Sequence, residues 1–223
     1  MAMAEEGAPR SDSDPALDSR EKILAAAEML FAQHGYAGVG LREVADAVGL
    51  GKSSLFHHFR SKLALYEEVL ARMLGRIAAR VRPALRVAGS PAQRLAVWSD
   101  ALIDALAEHP HAARLCLRSI VEEDPFPPQA ERSTLAFEEI LAELVAGFQK
   151  SVQEGIAAGA FRPVSLPEIT QTMIGATFYP LASGRFGESL VGGPIFAAEA
   201  VLRRKQEVQR MLSRGLAAER APL

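Results

Sequence analysis

Cys116 is the only cysteine in the chain. An intrachain disulfide is therefore excluded, and a reducing cytoplasm is the expected compartment. No apolar run approaches the roughly 20 residues that a membrane-spanning helix needs, so no membrane partner is expected. β-Branched residues are few beside alanine and leucine, which argues for helices over sheets. Overall basic charge is missing too, the net charge being −2 over 223 residues. The distribution says more than the total. Residues 1–17 carry −3, residues 18–80 carry +2 and residues 81–223 carry −1, and the stretch Gly51 to Lys62 has three bases and no acid. A modest basic patch of this kind fits a DNA footprint. The opening MAMAEEGAPRSDSDPAL is acidic and has no hydrophobic region. It is not a secretory signal, and residues 1–17 are expected to form a disordered tail.

What is present is helical periodicity. Asp18 or Ser19 can cap a first helix to about His34, with Ile23, Ala27, Leu30 and Phe31 on one face and Gly35 as a left-handed stop. A second helix, about Leu41 to Val48, turns Leu41, Val44, Ala45 and Val48 inward. Gly49-Leu50-Gly51 makes a turn, and a third helix runs from Lys52 to about Phe59. Ser61 caps a fourth, with Tyr66, Val69, Leu70, Met73 and Ile77 inward. Further helices are expected from Pro91 to Glu108, to about Val121, from about Gln129 to Ala158, from Pro167 to about Ser183, and from about Ile195 to Gly215. A loop covers 122–128, and a glycine-rich loop precedes the last helix. The expected fold is all-α, with about nine helices, no strand and no internal repeat.

The third helix has the character of a DNA-reading element: short, held by a few apolar residues and polar outside. Leu55 and Phe59 can lock it in place, leaving Lys52, Ser53, Ser54 and His57 facing outward near its start. Lysine donates to guanine acceptors, and serine donates or accepts with many partners. Lys62 sits in the first turn of the fourth helix, where the macrodipole disfavours a cation. A bound phosphate would remove that conflict, so Lys62 and His58 are expected to set docking on the DNA backbone. Arg42, on the second helix, completes the expected DNA-facing set.

Residues 20–70 resemble the N-terminal domain of the tetracycline-repressor (TetR) family of transcriptional regulators. The resemblance rests on Arg20-x-x-Ile23-Leu24-x-Ala26-Ala27, Leu30-Phe31, Gly35-Tyr36, Val44-Ala45-x-x-Val48-Gly49-Leu50, Leu55-Phe56-x-His58-Phe59 and Ser61-Lys62. It implies a helix-turn-helix domain, here 18–64, joined to a helical ligand-binding and dimerisation domain, here 65–223. It also implies DNA-facing positions at Lys52, Ser53, Ser54 and Phe56, and phosphate-facing ones at His58 and Lys62. Four positions, in three places, depart from the family pattern. Val39 and Gly40 stand where hydroxyl residues usually cap the second helix and touch phosphate. Gly51 replaces a common serine cap, and Phe56 replaces a tyrosine, losing a phenolic contact while keeping the ring.

Other chemistry is poorly supported. Gly51-Lys52-Ser53 resembles the end of a phosphate-binding loop, but Asp46 stands where that motif requires glycine. Neither His57-His58 nor His109-x-His111 has the spacing of metal ligands on one helix face. No catalytic constellation stands out, and no cofactor or metal is expected. Residues 169–184 contain no charged side chain. A helix uncharged all round is normally buried, and this one is expected to pack against its twin in a homodimer, with burial inside one subunit as the alternative. The dimer face is expected to draw on 135–183 and the last helix, and Pro180 should kink or end its helix. Trp98, Leu102, Cys116, Phe137, Phe148 and Tyr179 are candidates to line an apolar ligand pocket. The sequence reading is thus a cytoplasmic DNA-binding regulator, and the resemblance implies a repressor released from a palindromic operator by a small, largely apolar ligand. A helical ligand-binding protein without DNA-binding activity and a small all-helical enzyme are the alternatives.

Overall fold

Apolar residues at helical spacing, punctuated by glycine and proline, fold this chain into helices joined by short turns. The computed structural model describes residues 15–122, 125–127 and 134–217. In them run α1 (Pro15–His34), α2 (Leu41–Ala47), α3 (Lys52–His58), α4 (Lys62–Val81), α5 (Pro91–Glu108), α6 (Ala112–Val121), α7 (Ala136–Ala157), α8 (Leu166–Ala182), α9 (Gly184–Val191) and α10 (Ala198–Leu216). Among the described residues the only β-type pairing is an isolated bridge between Phe161 and Ala217. The all-α class is the one expected.

Several boundaries differ from the expected ones. There are ten α-helices rather than nine, because Gly184–Val191 folds as α9 where a glycine-rich loop was expected. Gly184 and Gly192 adopt φ of 55° and 75° at its two ends, so these glycines bound the helix instead of dissolving it. α1 begins at Pro15, ahead of the expected cap at Asp18 or Ser19, which suits a proline in a first turn. Of the expected tail, residues 1–14 lie outside the described residues, and 15–17 belong to α1. α7 starts at Ala136, and the expected start at Gln129 lies outside the described residues. Leu135 is extended, and its N–H donates to Glu138 Oε2 at 2.9 Å, which fixes the start. Pro180 lies inside α8, which ends two residues later at Ala182.

α4 organises the core. Its buried residues run from Leu65 to Val81, with Val69, Met73 and Ile77 among them, and it packs against α1, α5 and α7. The expected boundary after residue 64 falls within its first turn, so one rigid helix serves both halves of the chain. α7 turns Leu144, Phe148 and Val152 inward against α4, α5 and α8 within the same subunit. α8 is divided. Met173, Thr177, Phe178 and Leu181 are buried, whereas Thr172, Gly175 and Tyr179 are exposed. A polar clamp that no sequence motif announced ties α1 to α4. Glu28, only 6% exposed, accepts from Arg76 Nη2 at 2.5 and 2.6 Å.

Candidate nucleic-acid interface and ligand cavity

The reading head is built from the inside outward. Ile23, Ala27 and Phe31 of α1, Val44 and Ala45 of α2, and Leu55 with Phe59 at α3 are all buried. Gly49, at φ 69°, makes the turn, and the Leu50 N–H reaches back to the Ala45 carbonyl at 2.9 Å. Arg20 fastens the far end of α3. It pairs with Glu68 of α4 and lies over the Phe59 ring, 5.1 Å from its centroid.

This packing leaves Ser53, Phe56 and His57 exposed and Ser54 and His58 half-buried. The side chain of Lys52, the first residue of α3, lies outside the described groups. Arg42 is exposed on α2, 3.7 Å from Asp46 one turn on, so part of its charge is already offset. The departures at 39, 40 and 51 acquire physical reasons. Val39 is 3% exposed and serves the core. Gly40 caps α2 by its backbone N–H, which donates to Glu43 Oε2 at 2.6 Å. Gly51 caps α3 with no side-chain hydrogen bond.

Lys62 is the position whose surroundings the sequence least anticipated. It begins α4 behind the Ser61 cap, whose Oγ accepts from the Ala64 N–H at 3.0 Å. Its Nζ sits 4.2 Å from the centroid of the Tyr36 ring. The ring face supplies negative potential where the macrodipole opposes a cation, so the conflict is eased within the protein. Partial burial lowers the Lys62 pKa, and the charge of Glu43 acts the other way. Tyr36 also meets Tyr66 at 5.0 Å, Tyr66 meets Phe126 at 6.0 Å, and Phe126 meets Phe137 at 5.2 Å. A chain of rings therefore runs from the Lys62 platform to the first turn of α7.

A second feature lies between α4, α5, α6, α7 and α8: a narrow apolar cavity of ≈ 60 Å³. Trp98, Leu102, Cys116 and Phe148 all line it, with Leu74, Ile77 and Val81 of α4 forming another wall. Phe137 and Tyr179 do not join them. Phe137 belongs to the ring chain near Tyr36, and Tyr179 is 51% exposed on the outer side of α8 beside α9 and α10. The reason is distance along the helix for Phe137 and register for Tyr179. Phe148 lies three turns beyond Phe137 on α7, and Tyr179 is next to the inward Phe178 on α8. Burial pushes the Cys116 thiol up to about 12, so it stays neutral at physiological pH and acts as a small apolar wall residue. Native protein at pH 8 is accordingly expected to leave Cys116 unreacted toward a thiol-selective disulfide reagent, with one equivalent released on unfolding. Fast reaction of the native state would show that the cavity opens to solvent far more often than this packing allows.

A buried three-helix head with an exposed polar face on a short third helix, joined to a separate helical body with its own cavity, defines a helix-turn-helix DNA-binding protein. Residues 23–69 match the family model described as bacterial regulatory proteins, tetR family. The chain is 32% identical over 157 residues, 70% of this chain and 73% of the relative, to the HTH-type transcriptional repressor KstR2 of Mycolicibacterium smegmatis. It is also 32% identical over 141 residues to the HTH-type transcriptional activator FasR of the same organism, covering 63% of this chain and 64% of FasR. Among solved structures, the ketosteroid transcriptional regulator KstR2 of Mycobacterium tuberculosis superposes with a TM-score of 0.72 at 22% identity, covering 94% of this chain and 98% of that one. The chain belongs to the TetR family and is a DNA-binding transcriptional regulator, not an enzyme. No helix among the described residues is long and apolar enough to cross a membrane.

Proposed function

We propose that the chain acts as a cytoplasmic homodimeric repressor that a small, largely apolar ligand releases from a palindromic operator. The observation that carries the DNA half of this reading is the match over residues 23–69, which falls on the helices that build the exposed face of α3 and place Lys62. In this reading Lys52, Ser53, Ser54, Phe56 and His57 meet the major groove, and Arg42, His58 and Lys62 meet phosphate. Residues 18–64 form the head, and 65–223 form the ligand-binding and dimerising body. Repression is preferred because the KstR2 relative is named a repressor, although FasR is named an activator.

The dimer face is best placed on α8, α9 and α10. Tyr179, Phe186, Leu190, Val191, Leu202 and Met211 are exposed there, a grouping of apolar side chains that favours a partner. α7, which the sequence reading included, turns its apolar stripe inward. A twofold pair suits half-sites about one DNA turn apart.

The cavity supports the release mechanism by being too small. Pockets for small ligands usually measure about 300–1,000 Å³, against ≈ 60 Å³ here. A ligand must therefore part the walls, one of which is α4, whose first turn carries Lys62. It then favours an arrangement in which α4 and its head have moved, and it can do so only through its differential affinity for that arrangement.

Fluorescence anisotropy with DNA from upstream of the protein's own gene tests the DNA reading. Lys62→Ala is expected to weaken binding to every duplex alike and to lower the salt slope by about 1. Lys52→Ala is expected to change which sequence is preferred. If both variants bind like the parent, the head has been wrongly assigned. Absence of binding by the parent even at low salt would favour a ligand-binding protein without DNA-binding activity.

A further inference from the structure

The cavity wall holds one polar group with nothing to bond to. Trp98 is 6% exposed, and its indole Nε1 is buried with no hydrogen-bond partner among the described residues. Buried donors are nearly always satisfied, so an orphan in a cavity wall calls for a reason. The other polar side chains of the wall are already engaged. The Thr177 hydroxyl donates to the Met173 carbonyl at 2.7 Å. The Thr170 hydroxyl donates to the Leu166 carbonyl at 2.7 Å and accepts from Gln149 Nε2 at 3.2 Å. Cys116 is a neutral thiol. Among the described residues no lysine, arginine or histidine lines the cavity, so a carboxylate or phosphate inside it would be left uncompensated. Phe148, whose ring centroid is 4.9 Å away, holds the indole in place.

We propose that the part of the ligand entering this cavity is uncharged and carries a hydrogen-bond acceptor, a carbonyl or ether oxygen on an otherwise apolar frame, which takes the indole N–H of Trp98. This rests on the ligand-cavity reading above and specifies its chemistry. The packing around Trp98 shields Nε1 from solvent, and in this proposal a ligand that parts the walls both reaches it and satisfies it. The orphan donor thus biases the protein toward the liganded arrangement, which gives the ligand a differential affinity for that arrangement.

The test uses the full chain and two probes of nearly equal shape, cyclooctanone and methylenecyclooctane, one with an acceptor and one without. Trp98 is the only tryptophan, so the protein has a single indole N–H resonance. The Met173 methyl, which also lines the cavity, reports entry of either probe. Cyclooctanone is expected to shift the indole proton downfield and to bind about 3–10-fold tighter than methylenecyclooctane, as one hydrogen bond allows. Trp98→Phe keeps a ring against Phe148 and should abolish the preference while still admitting the hydrocarbon. Equal affinities and no indole shift in the parent would overturn the proposal and leave the cavity reading standing. So would a variant that weakens both probes alike. If neither probe perturbs Met173, the cavity reading fails and the proposal falls with it. Should the variant not fold, the two probes against the parent indole resonance decide alone.

Discussion

Glu28→Ala is expected to lower the unfolding free energy by about 3 kcal/mol, the lower end of what breaking a buried ion pair costs. The lower end applies because the Arg76 side chain keeps 26% of its surface exposed and can rehydrate in part, whereas that of Glu28 keeps 8%. The loss arises less from the missing attraction than from what stays behind. Among the described residues Arg76 Nε and Arg72 Nη1 are already buried without partners, and removing Glu28 takes from Arg76 the buried carboxylate it pairs with. Glu21, which pairs with Arg72 at 2.7 Å, is 59% exposed and cannot replace it. Glu28→Leu combined with Arg76→Met removes both charges and should recover at least about 2 kcal/mol of the loss. Denaturant unfolding of the three proteins provides the measurement. A Glu28→Ala variant within about 0.5 kcal/mol of the parent, the range of an ordinary surface change, would show that the cluster is solvated. His109 offers a second signature. Its pKa is lowered by burial and by the Arg76 charge, and Glu28 opposes this. Loss of Glu28 should therefore move the His109 titration further down.

This clamp also marks where the sequence stopped being legible. The head could be read because its information is local. A 3.6-residue apolar period, a glycine at each turn and a serine cap all lie within a few positions of the structure they specify. Leu55 and Phe59 were expected to lock α3, and both are buried. Contacts between distant segments leave no such trace. Glu28 and Arg76 are 48 positions apart and read in the chain as two ordinary surface charges, and Arg118 donates to the Gln33 backbone carbonyl across 85 positions, a contact that no side-chain pattern marks. Tyr36 was noted only as part of a family pattern. Its place beneath Lys62 depends on how α1 and α4 cross, which periodicity does not encode. The cavity residues show the same limit. Trp98, Leu102, Cys116 and Phe148 converge, but Phe137 shares the Phe148 face of α7 three turns away, and Tyr179 sits one register step from the inward Phe178. In residues 169–184 the absence of charge pointed to burial all round, whereas in the chain one face of α8 is buried and the other, with Thr172, Gly175 and Tyr179, is exposed.

Leu55→Ala is expected to reduce operator affinity at least about 30-fold while leaving most of the protein's helix content intact. α3 has seven residues, too few to persist as an isolated helix in water. Its conformation is held by packing, and its buried apolar anchors are Leu55 at 0% and Phe59 at 3% exposure. Truncating a fully buried leucine costs about 2–5 kcal/mol. Here that cost falls on one short element that can detach while α4 to α10 keep their own core. Each 1.4 kcal/mol spent reseating the helix lowers apparent affinity about tenfold, because DNA binds only the seated fraction. Ser53→Ala provides the contrast. The residue is exposed and supports nothing beneath it, so its loss should cost about tenfold at most and only at sequences that use its hydroxyl. Trp98 lies in the other half of the chain and is the only tryptophan, so unchanged emission from it would show that the cavity survives in Leu55→Ala. An anisotropy titration in which Leu55→Ala binds within about threefold of the parent would mean that α3 is not the element whose seating governs DNA affinity.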